Sequence, residues 1–339
     1  MEHAFQVDCQ VTGTAEPTKF TGFISKDWSV GDAPNGGYLM AIAINAARKA
    51  VPFRDPLSMT AYYLNKTIEN APVDIEVKIL NETKSMVTAS ISLSQQGVLR
   101  SQYMGTLGTL SKQTGVNYNN LPLAPQLPHP DDCVDISAVI RDTYGEKMPF
   151  AHRIQYKAPK DDPFVIGAID KKEVRVSSHM LVNHSLTSYV ISYLQNKVAS
   201  MSCWIRFDGG ELLPGLRSMA LFCDAMAPIL GMMPYTWVPT LEYTVHFWQR
   251  PDFTKRGVFP RDNAPVTPAT VFTSAEAEST VGTDAPAVAE PVSSYWLRCN
   301  YNTPIVVNGL LYTDAQLWSE DGTVLLATSR QLAKVLTPR

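Results

Sequence analysis

The chain has 339 residues, enough for about two domains, and its 45% hydrophobic and 18% charged content describes a globular protein with an ample core. A formal net charge of −3 without a local basic cluster excludes the electrostatic footprint of a nucleic-acid binder or of a protein held on an anionic membrane. The longest apolar run, residues 38–47, is about half of the roughly 20 residues that a membrane span needs, and it carries Asn45.

The first twenty residues, MEHAFQVDCQVTGTAEPTKF, are mixed and polar, unlike a signal peptide. The last four, LTPR, are no peroxisomal tail, so a cytoplasmic protein is expected. WSVGDAPNGGYLM (28–40) sets two glycines before the apolar segment YLMAIAINAARKAV, which reads as a helix buried on nearly every side, with Asp32 or Asn35 as its N-cap. APVDIEVKILNET and SMVTASISLSQQ alternate apolar and polar residues as half-buried strands do, and GVLRSQYMGTLGTL follows them. LPLAPQLPHPDD reads as a Pro-rich linker, and residues 171–198 as an extra helical element. In the second half, VASMSCWIRF, TLEYTVHFW, SSYWLRCNY and GLLYTDAQLWSEDGTVLLATSRQLAKVL read as strands, with a hairpin turn at Glu320-Asp321-Gly322. The apolar segment PGLRSMALFCDAMAPILGMM fits a second helix. Five scattered cysteines (9, 133, 203, 223 and 299), without metal-ligand spacing, make a disulfide framework or a structural zinc site unexpected.

The halves repeat one another. PLSMTAYYL and PTLEYTVHFW share Leu57/Leu241 and Thr60/Thr244, 184 residues apart; SLSQQGVLRSQ and QLWSEDGTVLLATSRQ share Leu93/Leu317, 224 apart. The difference is taken up by the 40 residues of 252–291, whose Pro-, Ala-, Ser- and Thr-rich composition reads as a mobile loop. The expected boundaries are 1–115 for the first domain, 116–150 for the linker and 151–339 for the second domain.

One helix followed by antiparallel strands, occurring twice, is an α+β double hot-dog: two antiparallel sheets, each wrapped around a central helix, forming one extended sheet. WSVGDAPNGGYLMA, PLSMTAYYLNK, PTLEYTVHFWQRP and DAQLWSEDGTVLLATSRQ resemble, in order and spacing, the thioesterase-like relatives of the type II acyl-CoA thioesterases. The resemblance implies that Asp224 on the second helix, Thr240 on a following strand and Gln331 near the last strand hold a water that attacks a thioester. The strand with Thr240 is one residue longer before its Arg-Pro pair than in the bacterial enzymes, which leaves Thr244 as the fallback hydroxyl. The chemistry suits these residue types. A carboxylate can orient and deprotonate water, worth roughly 10²–10⁴-fold, and a hydroxyl and an amide can fix it.

Each residue also has a plainer reading. Asp224 in an apolar segment could pair with Arg206 or Arg217 or cap a backbone turn, Thr240 could be an ordinary strand residue, and Gln331 a surface amide. Neither central helix holds the His that a hot-dog dehydratase needs, and His246 reads as a packed or edge histidine. Cys223 reads as a small buried hydrophobe whose neighbouring carboxylate opposes thiolate formation. Asn35, Gly36 and Gly37, where a helix N-terminus could meet a thioester carbonyl, are substrate-binding candidates, although tight helix–sheet packing is read as the main use of the glycines. The expected activity is hydrolysis of an acyl-CoA or other acyl thioester without metal or prosthetic group, by a monomer or homo-oligomer. The alternative is an acyl-thioester-binding or pathway-dedicated protein with little or altered hydrolysis.

Overall fold

The computed structural model describes residues 3–52, 54–166, 199–210, 214–227, 238–252 and 295–336. In the first half, α1 (Ala4–Asp8), β1 (Val11–Gly13) and β2 (Lys19–Ile24) lead to the short pair β3 (Ser29–Val30) and β4 (Ala33–Pro34) and to the helix α2 (Gly36–Ala50). Four strands follow: β5 (Asp55–Tyr63), β6 (Ala71–Glu82), β7 (Val87–Gln95) and β8 (Val98–Gly108). The second half holds β9 (Val134–Asp135), α3 (Ile136–Tyr144), β10 (Ile154–Ala158), β11 (Ser200–Phe207) and α4 (Leu216–Cys223). It closes with β12 (Thr240–Phe247), β13 (Leu297–Val307), β14 (Leu310–Trp318) and β15 (Leu325–Lys334). Segment 171–198 and residues 253–291 of the proposed loop lie outside the described residues.

Among the described residues, thirteen strands make one sheet in the order β1-β2-β6-β7-β8-β5-β12-β15-β14-β13-β11-β10-β9. Every neighbouring pair is antiparallel. β7 is buried at every second residue, as the alternation of its sequence requires. Asn308 and Gly309, both at positive φ, make the tight turn between β13 and β14 that suits the right-handed twist of paired strands. The two halves meet at β5 and β12, so the architecture is the α+β double hot-dog.

The repeat becomes a two-fold axis at this junction. Thr60 faces Thr244, Met59 faces Val245 and Ala61 faces Tyr243. With counterparts 184 residues apart, these pairs map onto one another, and the axis passes through Thr60 and Thr244, whose hydroxyl oxygens lie 3.0 Å apart. Even the irregularities repeat. A register shift between Pro56 and Ser58 on β5 matches one between Thr240 and Glu242 on β12. Leu57 and Leu241, the repeated leucines, are the residues so displaced. The Glu320-Asp321-Gly322 turn does join β14 to β15, with Gly322 at φ 75°.

Asn35 caps α2, its side-chain oxygen accepting the Tyr38 N–H at 3.0 Å, while Arg48 and Lys49 complement the negative end of the helix dipole. Ten of its fifteen residues are buried, as expected of a helix apolar nearly all round. The second helix is shorter than its apolar segment: α4 ends at Cys223, and Asp224 is its C-cap rather than a residue within it. Residues 134–150, read as linker, include β9 at the sheet edge and α3 packed on β10. The Pro-rich stretch before them is tied to the sheet, since Trp204 donates to the Pro128 carbonyl at 2.8 Å and Arg298, 1% exposed, donates to the Pro125 and Glu320 carbonyls.

Candidate functional site

A helix ends with carbonyls that lack intrahelical partners. At the end of α4 these are taken by side chains from all around. Tyr243 donates to the Ala220 carbonyl at 2.7 Å, Tyr301 to Phe222 at 2.5 Å, Ser329 to Cys223 at 3.3 Å, the Asn35 amide to Asp224 at 3.1 Å and Tyr156 to Ala225 at 2.9 Å. Four of the five come from the second half's sheet, and the fifth is the N-cap of α2. The turn carrying Asp224 is thereby held from two sides.

Asp224 is 8% exposed, and its carboxylate accepts the Gly37 N–H at 2.7 Å. Burial pushes its pKa up to about 7, against the pull of the Gly37 N–H, the Asn35 amide and the Gly36 N–H toward the charged form. Among the described residues neither Arg206 nor Arg217 pairs with it; Arg206 donates to Gln155 and lies over the Trp296 ring.

The glycines face this carboxylate. A Cβ on Gly37 would lie 2.5 Å from the Ala220 carbonyl oxygen and 2.8 Å from the Leu221 Cα, both backbone atoms of α4. The close packing is therefore helix on helix, not helix on sheet. A Cβ on Gly36 would lie 2.7 Å from the Tyr63 hydroxyl and 3.0 Å from an Asp224 carboxylate oxygen, so only glycine leaves these two groups side by side. Tyr63 donates to the Gly36 carbonyl at 2.7 Å, and burial, then the Tyr103 and Asp224 charges, hold its hydroxyl well above the usual phenol range. No sequence motif singles out Tyr63; its register at the end of β5 places it there. Asp32, the other N-cap candidate, is instead exposed and paired with Lys66.

Thr240 and Gln331 meet: the threonine hydroxyl donates to the glutamine carbonyl oxygen at 2.8 Å, and Gln331 is 6% exposed. Gln331 lies opposite Tyr243 and two residues beyond Ser329, the two side chains that hold α4 carbonyls. Tyr63 lies one residue past the Tyr62–Glu242 pair, so Tyr63, Thr240 and Gln331 come to the same end of three adjoining strands. Among the described residues, no hydrogen bond joins Asp224 directly to Thr240 or Gln331.

Thr244 is elsewhere. Tyr243 reaches the helix, so its neighbour must face the other side of the sheet, where Thr244 bonds Glu242 at 2.6 Å and meets Thr60. The fallback hydroxyl is thus turned away from Asp224. His246 shares that outer face and stacks on Trp248, with ring centroids 6.0 Å apart. The Cys223 thiol is held well above its ordinary range by burial first and then by the Cys299 and Asp224 charges.

No helix among the described residues is long and apolar enough to cross a membrane. Two family models match, described as the N-terminal and C-terminal domains of acyl-CoA thioesterase, at residues 24–110 and 130–259. No curated protein matches. Solved structures similar in fold include a hot-dog protein from Alicyclobacillus acidocaldarius, with 17% identity, all of both chains covered and a TM-score of 0.67. The acyl-CoA thioesterase II of Mycobacterium marinum is 13% identical over 99% of both chains, with a TM-score of 0.59. A tesB protein of Mycobacterium avium is 14% identical over 98% of both, with a TM-score of 0.62. Since the two matched domains together span more than half of its length, the chain belongs to the acyl-CoA thioesterase family of double hot-dog proteins.

Proposed function

We propose that this protein hydrolyses an acyl thioester, with acyl-CoA as the expected substrate and Asp224 as general base. The observation that carries this reading is the buried Asp224 carboxyl, raised to about 7 and held on the N-terminus of α2, at the end of the sheet where Thr240 and Gln331 pair. A general base works best when its pKa lies near the working pH, and an ordinary surface carboxylate is too weak a base for that. Asp224 takes a proton from water as its oxygen attacks the thioester carbon. The tetrahedral intermediate then collapses, the carbon–sulfur bond breaks, and the proton passes from Asp224 to the departing thiolate. The products are a free acid and a thiol. Thr240 occupies the Gln331 carbonyl oxygen, which leaves the amide N–H groups to hold the water or the developing oxyanion.

Release of free thiol from acyl-CoA substrates of increasing chain length tests this, with Asp224→Asn and Gln331→Ala beside the wild type. Loss of the base is expected to lower kcat by roughly 10²–10⁴-fold. If the wild type releases no CoA, or if both variants match it, the hydrolase reading fails.

A further inference from the structure

The two central helices run antiparallel. The N-terminus of α2 lies on the end of α4, and the last turn of α2 meets the start of α4, where Arg48, Gly215 and Arg217 line one cavity of about 320 Å³. That size falls at the lower end of small-ligand pockets, roughly 300–1,000 Å³. By the two-fold relation this cavity is the counterpart of the Asp224 site, but its chemistry differs. The registers put Pro56 in the place of Thr240 and Gly105 in the place of Gln331, so the hydroxyl and amide have no equivalent here. Arginines stand there instead. Arg48 from the end of α2, Arg217 from the first turn of α4 and Arg250 from the segment after β12 all line the cavity.

The charge is only partly balanced. Arg250 forms a two-pronged ion pair with the buried carboxylate of Asp55, and Arg48 reaches the same carboxylate at 3.9 Å. Asp55 also accepts the Leu110 N–H. Among the described residues Arg217 has neither a carboxylate nor a hydrogen-bond partner. Burial, followed by Arg250 and Arg217 despite Asp55, pulls the Arg48 pKa down, as expected of guanidinium groups crowded together. Gly215 to Ser218, the start of α4, line the same space, and a Cβ on Gly215 would meet nothing within 4 Å.

We propose that the cavity between Arg48, Arg217 and Arg250 binds a phosphate-bearing anion. Guanidinium forks match phosphate oxygens in geometry and charge, and among the described residues Arg217 is the arginine of the three without a partner. The phosphate is carried either by the thioester substrate, as in its CoA portion, or by a separate ligand. Inorganic pyrophosphate is the direct probe, read as a rise in unfolding temperature and as binding heat at low and high salt, without reference to hydrolysis. The wild type is expected to bind it in a salt-sensitive way, and Arg217→Gln, which leaves the Asp55 pairs intact, to bind about tenfold more weakly. Gly215→Asp supplies a second test: the side chain has room, suits an N-cap position and fills the cavity with a built-in carboxylate, so the variant should fold and lose the pyrophosphate response. A rise in KM for acyl-CoA in both variants, at unchanged kcat, assigns the phosphate to the substrate; unchanged kinetics with lost pyrophosphate binding assign it to a separate ligand. No binding by the wild type, or equal binding by all three proteins, overturns the site, whatever the outcome of the hydrolysis assay.

Discussion

Asp224 trades stability for basicity. An isolated carboxyl ionises near 3.8, whereas burial raises this one to about 7 in the folded chain. Between those values the folded protein keeps a proton that the unfolded chain has released, so this residue's contribution to stability falls as pH rises from about 4 to 7. A tenfold change in an ionisation constant corresponds to about 1.4 kcal/mol, so the ionised form costs on the order of a few kcal/mol. Asp224→Asn removes that cost, and an amide oxygen can still accept the Gly37 N–H. The variant should unfold at a higher temperature than the wild type at pH 8, with the gap closing toward pH 5, as calorimetry across that range would show. Hydrolysis should follow the opposite course, with kcat/KM of the wild type rising about tenfold per pH unit below 7 and levelling above it. A flat pH–rate profile would remove Asp224 from the role of base.

At the scale of elements, the site depends on how closely α2 approaches α4. Gly37→Ala brings a helix-favouring residue into α2, yet its Cβ would fall 2.5 Å from a carbonyl oxygen of α4 that Tyr243 already holds. Backbone cannot turn aside as a flexible side chain can, so the helices must part, and the cost of overpacking, roughly 1–3 kcal/mol, exceeds the propensity gain of about 1 kcal/mol. Gly13→Ala, where a Cβ would meet nothing within 4 Å, is the control, and chemical denaturation should show the loss only for Gly37→Ala. This geometry also marks what the sequence made legible. The extent of α2 followed from its apolar run, with its N-cap narrowed to Asp32 or Asn35, because capping is local. The end of α4 was hidden within the apolar segment, because the groups that capture its carbonyls lie far away in the chain, Tyr301 among them 79 residues on. Thr240 and Gln331 emerged from motif resemblance. The bond between Gly37 and Asp224, 187 residues apart, and the part of Tyr63 had no local signal to betray them.

The whole molecule is built as two copies but packed as one body. A single core cluster runs through both halves and contains α2 and α4 alike. Its aromatic centre crosses the boundary: Phe207 of the second half lies 4.9 Å from Phe5 and 6.2 Å from Trp28 of the first, and 4.9 Å from Phe222 on α4, measured between ring centroids. A repeat protein whose units were independent would bury such rings within each unit. Here neither half could close its core alone, since removing one exposes Phe5, Trp28 and the α4-facing side of α2 in the other. The chain should therefore unfold in one cooperative transition, seen together by calorimetry, by far-ultraviolet circular dichroism and by tryptophan fluorescence. Phe207→Ala tests the coupling, because it removes a second-half side chain that first-half rings rest on. A loss of about 3–5 kcal/mol is expected, which in a chain of this size lowers the midpoint of the entire transition by roughly 4–7 °C. Two separate transitions, with only the later half of the chain responding to the substitution, would show that the halves are joined at the sheet and nowhere else.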